Sequence, residues 1–505
     1  MGNRVIKFIL GSIDKAEKDS DTELTPINND NFVNYYNNKE RLFDKMKDKF
    51  ARFLLTPQKC LIYDENYMGG IGLPYLPFAL THTFFKYYRA IIKFFRKDNY
   101  WRDDAEMEDF IKQYDISTDK QPSYPVQSDF ISFEGMEWFI NNFDLFDIMT
   151  REDNLFVFNT MYLNKYRYKS KAARLGCIAK FYLCENGFKF RSLEYEGNIF
   201  TPDNNQSEVR YALRAFYGSI STIQTFASHA VGVHFLSSAK ISKTSRDNLE
   251  ENHPFREILK PPTFMTFTRM GEAFGTLLKQ GGPFHNFGPF TYSGMMEMLQ
   301  DYIEQHKNLT SELDVINVNG LEDYKTWHLS EEETKCYPFN SYNIWIKHIR
   351  QHVTNFVVEA IKTHPITCNS PSVDKWLLDI CGTIYPDKID QIIRIISHMY
   401  FLQVRHATMS SKELSFIYSR YSYIMRTDID YKMSYNTQWD HFMKMLVFKD
   451  TSKKWILLKT DISNIISDTS LRQIWSTFYS NTASLYIDPR SFLITPDKIN
   501  CSAGL

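Results

Sequence analysis

The chain has 505 residues, 43% hydrophobic and 24% charged, with aromatics at 16% that include 40 Phe and 31 Tyr. Such a stock of large apolar side chains can fill an extensive core and excludes a largely disordered protein. The 59 Lys and Arg are balanced by 60 Asp and Glu, leaving a net charge of −1, which excludes a protein whose main task is gripping nucleic-acid phosphates.

At the N-terminus, a short apolar patch around Ile9 lacks the hydrophobic region of a leader, and Ile6 stands where a myristoylation motif needs Ser or Thr. The stretch Met68–Phe85 is weakly charged but carries Pro74 and Pro77, so it reads poorly as a membrane span. Residues 81–97 place Phe84, Phe85, Tyr88, Ile91, Ile92 and Phe95 at helical spacing, with Lys and Arg between them. That pattern predicts a helix whose aromatic stripe packs on the core, or one that touches a membrane surface. Segments 177–183 and 188–195 flank Glu185-Asn186-Gly187 and predict a β-hairpin. Beyond residue 208, helices are expected at 208–240, 263–280, 291–307, 341–363, 373–382, 387–413 and 437–448. No fixed-period repeat and no Gly/Ser-rich linker divides them. The fold class expected is mainly α, one large helical body with a small β substructure. Glu331, Glu332 and Glu333 read as a solvated face. The seven Cys form no CxxC pair, so neither a disulfide framework nor a zinc ribbon is expected, and the cytoplasm is the default location.

Histidine carries the chemical signal. His229 and His234 are five apart in a small, apolar helical segment. On a regular α-helix five steps leave them roughly 140° apart, whereas i→i+5 bonding would bring them to one face. Spacing alone favours one His in the core and one at the surface. His406 and Ser410 are four apart on a helix made buried by Ile392, Ile393, Ile395 and Ile396; they suit a metal site or a satisfied polar pair. His348 and His352, also four apart, lack the Glu of HExxH and read as structural or solvent-facing. No GxSxG, no phosphate-binding P-loop and no GxGxxG after a strand is present.

Taken in order, these segments resemble a lipoxygenase catalytic domain. His229 and His234 are followed by His253-Pro254 at the expected distance, LEYEGNIFTP precedes them, and Tyr337-Pro338 with Trp345 lies between the two His-bearing regions. His406 in HATMS stands at the third His, and CSAGL is similar to the family's chain ending. The resemblance covers about residues 175 to 505 and is weaker from 60 to 175. It implies one catalytic domain over 1–505, with a divergent helical part at 1–165, a metal-binding core at 166–505 and no N-terminal β-barrel. It implies metal ligands His229, His234, His406, Ser410 and the main-chain carboxylate of Leu505, holding non-haem iron or manganese that cycles between +2 and +3. A hydroxide on that metal would take a hydrogen atom from the doubly allylic carbon of a polyunsaturated fatty acid, and O2 would add to the radical to give a hydroperoxide. Ala273 implies S-type oxygenation, and Leu277 stands beside the pentadiene. Thr225 and Glu413 occupy positions where the family has Gln next to the ligands. The 81–97 helix corresponds to the family's lid over the substrate channel, which leaves peripheral membrane contact open. Two alternatives share the scaffold: an enzyme processing fatty-acid hydroperoxides, and a metal-free lipid-binding or interaction protein.

Overall fold

Ser132 opens the first helix of the described residues, its Oγ accepting the Gly135 N–H at 2.9 Å while Glu134 complements the positive end of the helix. The computed structural model describes residues 132–144, 148–169, 172, 174–263, 288–306, 329–365, 368–409 and 465–488, with 496 and 499. That first helix, α1 (Phe133–Asn142), buries Phe133, Met136, Phe139 and Ile140, one stripe at helical spacing.

Five antiparallel strands follow in sequential order: β1 (Thr150–Glu152), β2 (Leu155–Asn159), β3 (Ile178–Cys184), β4 (Gly187–Tyr195) and β5 (Asn198–Phe200). The expected hairpin is β3–β4, turning at Gly187 with φ of 112°. A Cβ there would also fall 2.3 Å from Asn141 Oδ1, so glycine is required on two counts. Asn141 accepts from the Phe188 N–H at 2.7 Å and donates to the Phe188 carbonyl at 3.0 Å, and Glu137 accepts from the Phe190 N–H at 2.9 Å. Thus α1 closes the part of the β4 edge that the short β5 does not reach. The sheet is larger than the one hairpin expected. In β2 the three central residues Phe156, Val157 and Phe158 are all buried, and a short continuous apolar run cannot be told from a helix segment by periodicity. Both β1 and β2 precede residue 165 yet share the sheet of β3, which therefore spans the expected division between 165 and 166.

Mainly α architecture holds beyond the sheet. α2 (Gln206–Thr222) passes without interruption into a π-helical segment (Ile223–Ser238) and α3 (Ala239–Asn248). After α4 (Pro254–Leu259) come α5 (Tyr292–His306), α6 (Phe339–Thr363), α7 (Pro371–Cys381), α8 (Lys388–Thr408) and α9 (Thr469–Ala483). α6 packs on both α8 and α9, while α5, α3 and α8 pack on the π segment. The expected helices 81–97, 437–448 and, beyond residue 263, 263–280 lie outside the described residues. α9 was not expected, although Leu471, Trp475, Phe478 and Thr482 form its buried stripe and Asp468 caps it. The acidic run is only partly a solvated face: Glu333 forks onto Arg151 with contacts of 3.0 Å and 3.0 Å and accepts the Ser330 N–H at 2.7 Å. Among the described residues no helix is long and apolar enough to cross a membrane.

Candidate metal centre

The π segment IQTFASHAVGVHFLSS is small-residue-rich and almost wholly buried. Its i→i+5 bonding continues to its end, where the Ala239 N–H donates to the His234 carbonyl. That periodicity returns residues five apart to one face, so the expectation from spacing, one His inward and one outward, fails here. Gly232 lies between the two His, and a Cβ on it would meet the Tyr302 hydroxyl of α5 at 2.8 Å. Glycine thereby lets α5 close on this face. The His253-Pro254 motif has a plain structural role. His253 caps α4, with Nδ1 accepting the Phe255 N–H at 3.2 Å, and Pro254 occupies the first turn, where its missing donor costs nothing.

His406 reaches the same point from α8. The imidazole centroids are 5.0 Å apart for His229 and His234, 5.0 Å for His229 and His406, and 4.7 Å for His234 and His406. One ring nitrogen from each lies within 4.8 Å of the others, and the Nε2 atoms of His229 and His234 are 3.2 Å apart. Two imidazole ligands at about a right angle on a metal would place their nitrogens roughly 3 Å apart. His229 and His406 are 8% and 1% exposed. Burial lowers the His229 pKa to about 4, which keeps it a neutral imidazole, the form that binds metal. Three imidazole nitrogens brought together in a largely buried pocket fit a divalent transition metal. Thr225, four residues before His229, is buried in the π segment. Ser410, Glu413, Ala273, Leu277 and Leu505 lie outside the described residues.

Around the trio is a polar network that the reading of the sequence missed. Asp144, just past α1, is fully buried and receives Arg405 Nε at 2.6 Å and Nη2 at 2.9 Å. The Asp144 carbonyl also accepts from the Gln224 side-chain amide. Gln224 and Gln403 are buried as well, at 2% and 0% exposure. A signal was available: an arginine on a helix that its isoleucines mark as buried has to find an acid.

His348 and His352 stand apart, on α6 facing α9. His348 Nε2 is 2.8 Å from Thr482 Oγ1, His352 Nε2 is 3.4 Å from Asn481 Nδ2, and both rings lie against Phe478. Burial and the neighbouring His352 lower the His348 pKa to about 4.

At the sequence level no protein-family model and no curated protein matches the chain. Solved structures do. A lipoxygenase deletion variant in complex with arachidonate aligns at a TM-score of 0.65, with 12% identity over 85% of this chain and 74% of that one. The manganese lipoxygenase of Gaeumannomyces graminis aligns at 0.64, with 10% identity over 92% of each chain. The fold is lipoxygenase-like. A coral 8R-lipoxygenase, described as activated by calcium through a C2-like domain, has the same fold at a TM-score of 0.63 and 11% identity, over 91% of this chain and 75% of that one. Since a manganese enzyme is among these lipoxygenases, the fold does not by itself select iron.

Proposed function

We propose that the chain is a metal-dependent dioxygenase of polyunsaturated fatty acids. The observation that carries this reading is the convergence of His229, His234 and His406 within a lipoxygenase-like fold. Ser410 and the Leu505 carboxylate complete the ligand set in this proposal. Bound there, iron or manganese would supply the one-electron couple needed to take a hydrogen atom from a doubly allylic carbon. The protein's own contribution is to hold three imidazoles in a largely buried interior, where a π segment fixes two of them and α8 the third. The arachidonate carried by one of the similar structures supports a long unsaturated acyl chain as substrate. Ala273 supports an S-configured hydroperoxide on sequence grounds, and Leu277 a place beside the pentadiene.

The test is elemental analysis of untagged protein produced with both iron and manganese available, followed by oxygen uptake on linoleate and arachidonate. Near-stoichiometric metal with oxygen consumption and conjugated-diene formation is expected. Well-folded protein without metal would overturn the reading, as would metal-loaded protein that turns over only fatty-acid hydroperoxides. Extending the chain beyond Leu505 with a tag should abolish metal retention, and a fully active tagged protein would refute the carboxylate assignment.

A further inference from the structure

The segment at the end of α1 lies far from the three histidines in sequence, yet it is tied to both elements that carry them and to α6. Tyr337 donates to Asn142 Oδ1 at 3.0 Å, and Tyr342 of α6 donates to the Phe143 carbonyl at 3.4 Å. The Asp144 carbonyl takes the Gln224 amide, and the Asp144 carboxylate takes the Arg405 fork at 2.6 Å and 2.9 Å. A helix end leaves carbonyls that must find donors; Tyr342 of α6 supplies the one for Phe143, and the donors to the Asp144 carbonyl and carboxylate come from the two elements that carry the histidines. Gln224 is five residues before His229 in the π segment, on the same face by i→i+5 periodicity. Arg405 immediately precedes His406. Both ends of this connection are buried, with Arg405 and Asp144 side chains 5% and 0% exposed, so the fork geometry is held without competition from water.

We propose that Asp144 is a positioning residue for the metal site, setting the separation between His406 on α8 and the His229–His234 pair on the π segment. This deepens the proposed function and rests on its reading of the three histidines. Asp144 has no catalytic role in this proposal, since the contacts that link it to the site run through Arg405 and Gln224. Residues that orient metal ligands typically change metal affinity by about 10- to 100-fold when removed.

The experiment titrates Mn(II) into metal-free full-length protein and records the Mn(II) electron paramagnetic resonance spectrum beside a thermal melt. Removing only Asp144 would strand a buried arginine and could unfold the chain, so the informative variant is Asp144→Leu with Arg405→Met, which replaces the ion pair with apolar groups. Gln224→Leu is the second arm, cutting the link to the π segment while leaving the ion pair whole. A positioning role predicts Mn(II) binding weakened about tenfold or more with an altered spectrum, even where the melting temperature is recovered; Arg405→Lys, which keeps the charge but not the fork, falls between. Unchanged Mn(II) affinity and spectrum in both the double variant and Gln224→Leu would overturn the inference alone. No Mn(II) binding by the unaltered chain would overturn the proposed metal site, and this inference with it.

Discussion

Two groups of histidines stand out among the described residues, and they differ in where their ring nitrogens point. In the trio, Nε2 of His229 faces Nε2 of His234 at 3.2 Å, and His406 closes the triangle from another helix. In the pair, each Nε2 is directed at a side chain of α9. Thr482 gives its one proton to the Phe478 carbonyl at 2.7 Å, so His348 Nε2 must be the donor to Thr482. The Asn481 Nδ2 atom is a donor, so His352 Nε2 accepts. The pair therefore has fixed tautomers and engaged nitrogens, whereas the trio directs nitrogens from two helices at one point. Spacing taken alone would have picked the other group, because four apart is the separation that shares an α-helical face.

The largest expected effect tests that contrast directly. His234→Ala should abolish metal retention, measured by elemental analysis of purified protein, while His348→Ala should leave it intact. The opposite result would mean that the pair, and not the trio, is the site. A second effect is read on His348 of the pair. A histidine whose folded pKa lies below its unfolded value contributes no penalty above about pH 6.5, and stability falls as the pH drops toward the folded value because the unfolded chain binds the proton first. With His348 lowered to about 4 by burial and then by His352, the wild type should lose on the order of 2 kcal/mol of stability between those pH values through this group. His348→Phe should remove this group's share of the slope in denaturant melts of chelated protein across pH 4–7, leaving the shares of His229 and His352. An identical slope in both proteins would show that His348 stays accessible to protons.

Much of this contrast was legible in the sequence only through order and context. The buried α8 is visible in its isoleucines, and the β3–β4 hairpin in Glu185-Asn186-Gly187. The π segment was not legible from spacing, because the same residues on an α-helix would diverge by roughly 140°; only the resemblance pointed to convergence. Asp144 was illegible for a different reason. Its partners Gln224 and Arg405 are separated from it by 80 and 261 positions, and such pairing follows from tertiary packing, not from local pattern. β2 was missed because it is buried at three consecutive positions and so shows no alternation.

A third prediction concerns why the trio can sit on π geometry. Gly→Ala in a helix interior ordinarily gains up to about 1 kcal/mol. At Gly232 the added Cβ would lie 2.8 Å from the Tyr302 hydroxyl, and such overpacking costs about 1–3 kcal/mol. The clash should win, so Gly232→Ala should destabilise the chain. In a Tyr302→Phe background the nearest remaining ring atom is at 3.5 Å, and there the same substitution should become neutral or stabilising in chemical denaturation. A gain in both backgrounds would show that α5 is not held against the π segment by this contact.

The smallest effect separates the pair's scaffold from the trio's. α9, which supplies Thr482 and Asn481, begins at Asp468, whose Oδ1 accepts from the Ser470 and Leu471 N–H groups at 2.8 Å and 3.0 Å. His364, at the end of α6, adds a contact at 3.2 Å. These hydrogen bonds, the Leu471 N–H foremost, lower the Asp468 pKa to about 2. A carboxyl depressed on folding stabilises above its unfolded pKa of about 3.9 and loses that contribution as the pH falls through the folded value. Asp468→Ala should therefore cost about 1 kcal/mol at neutral pH, as loss of a helix cap does, and the deficit should vanish as the pH approaches 2. Metal content should not change, since this cap orders the helix behind His348 and His352 and touches none of the trio. Metal loss in a variant that melts only slightly earlier would mean that the two histidine groups are coupled through α6, which packs on both α8 and α9.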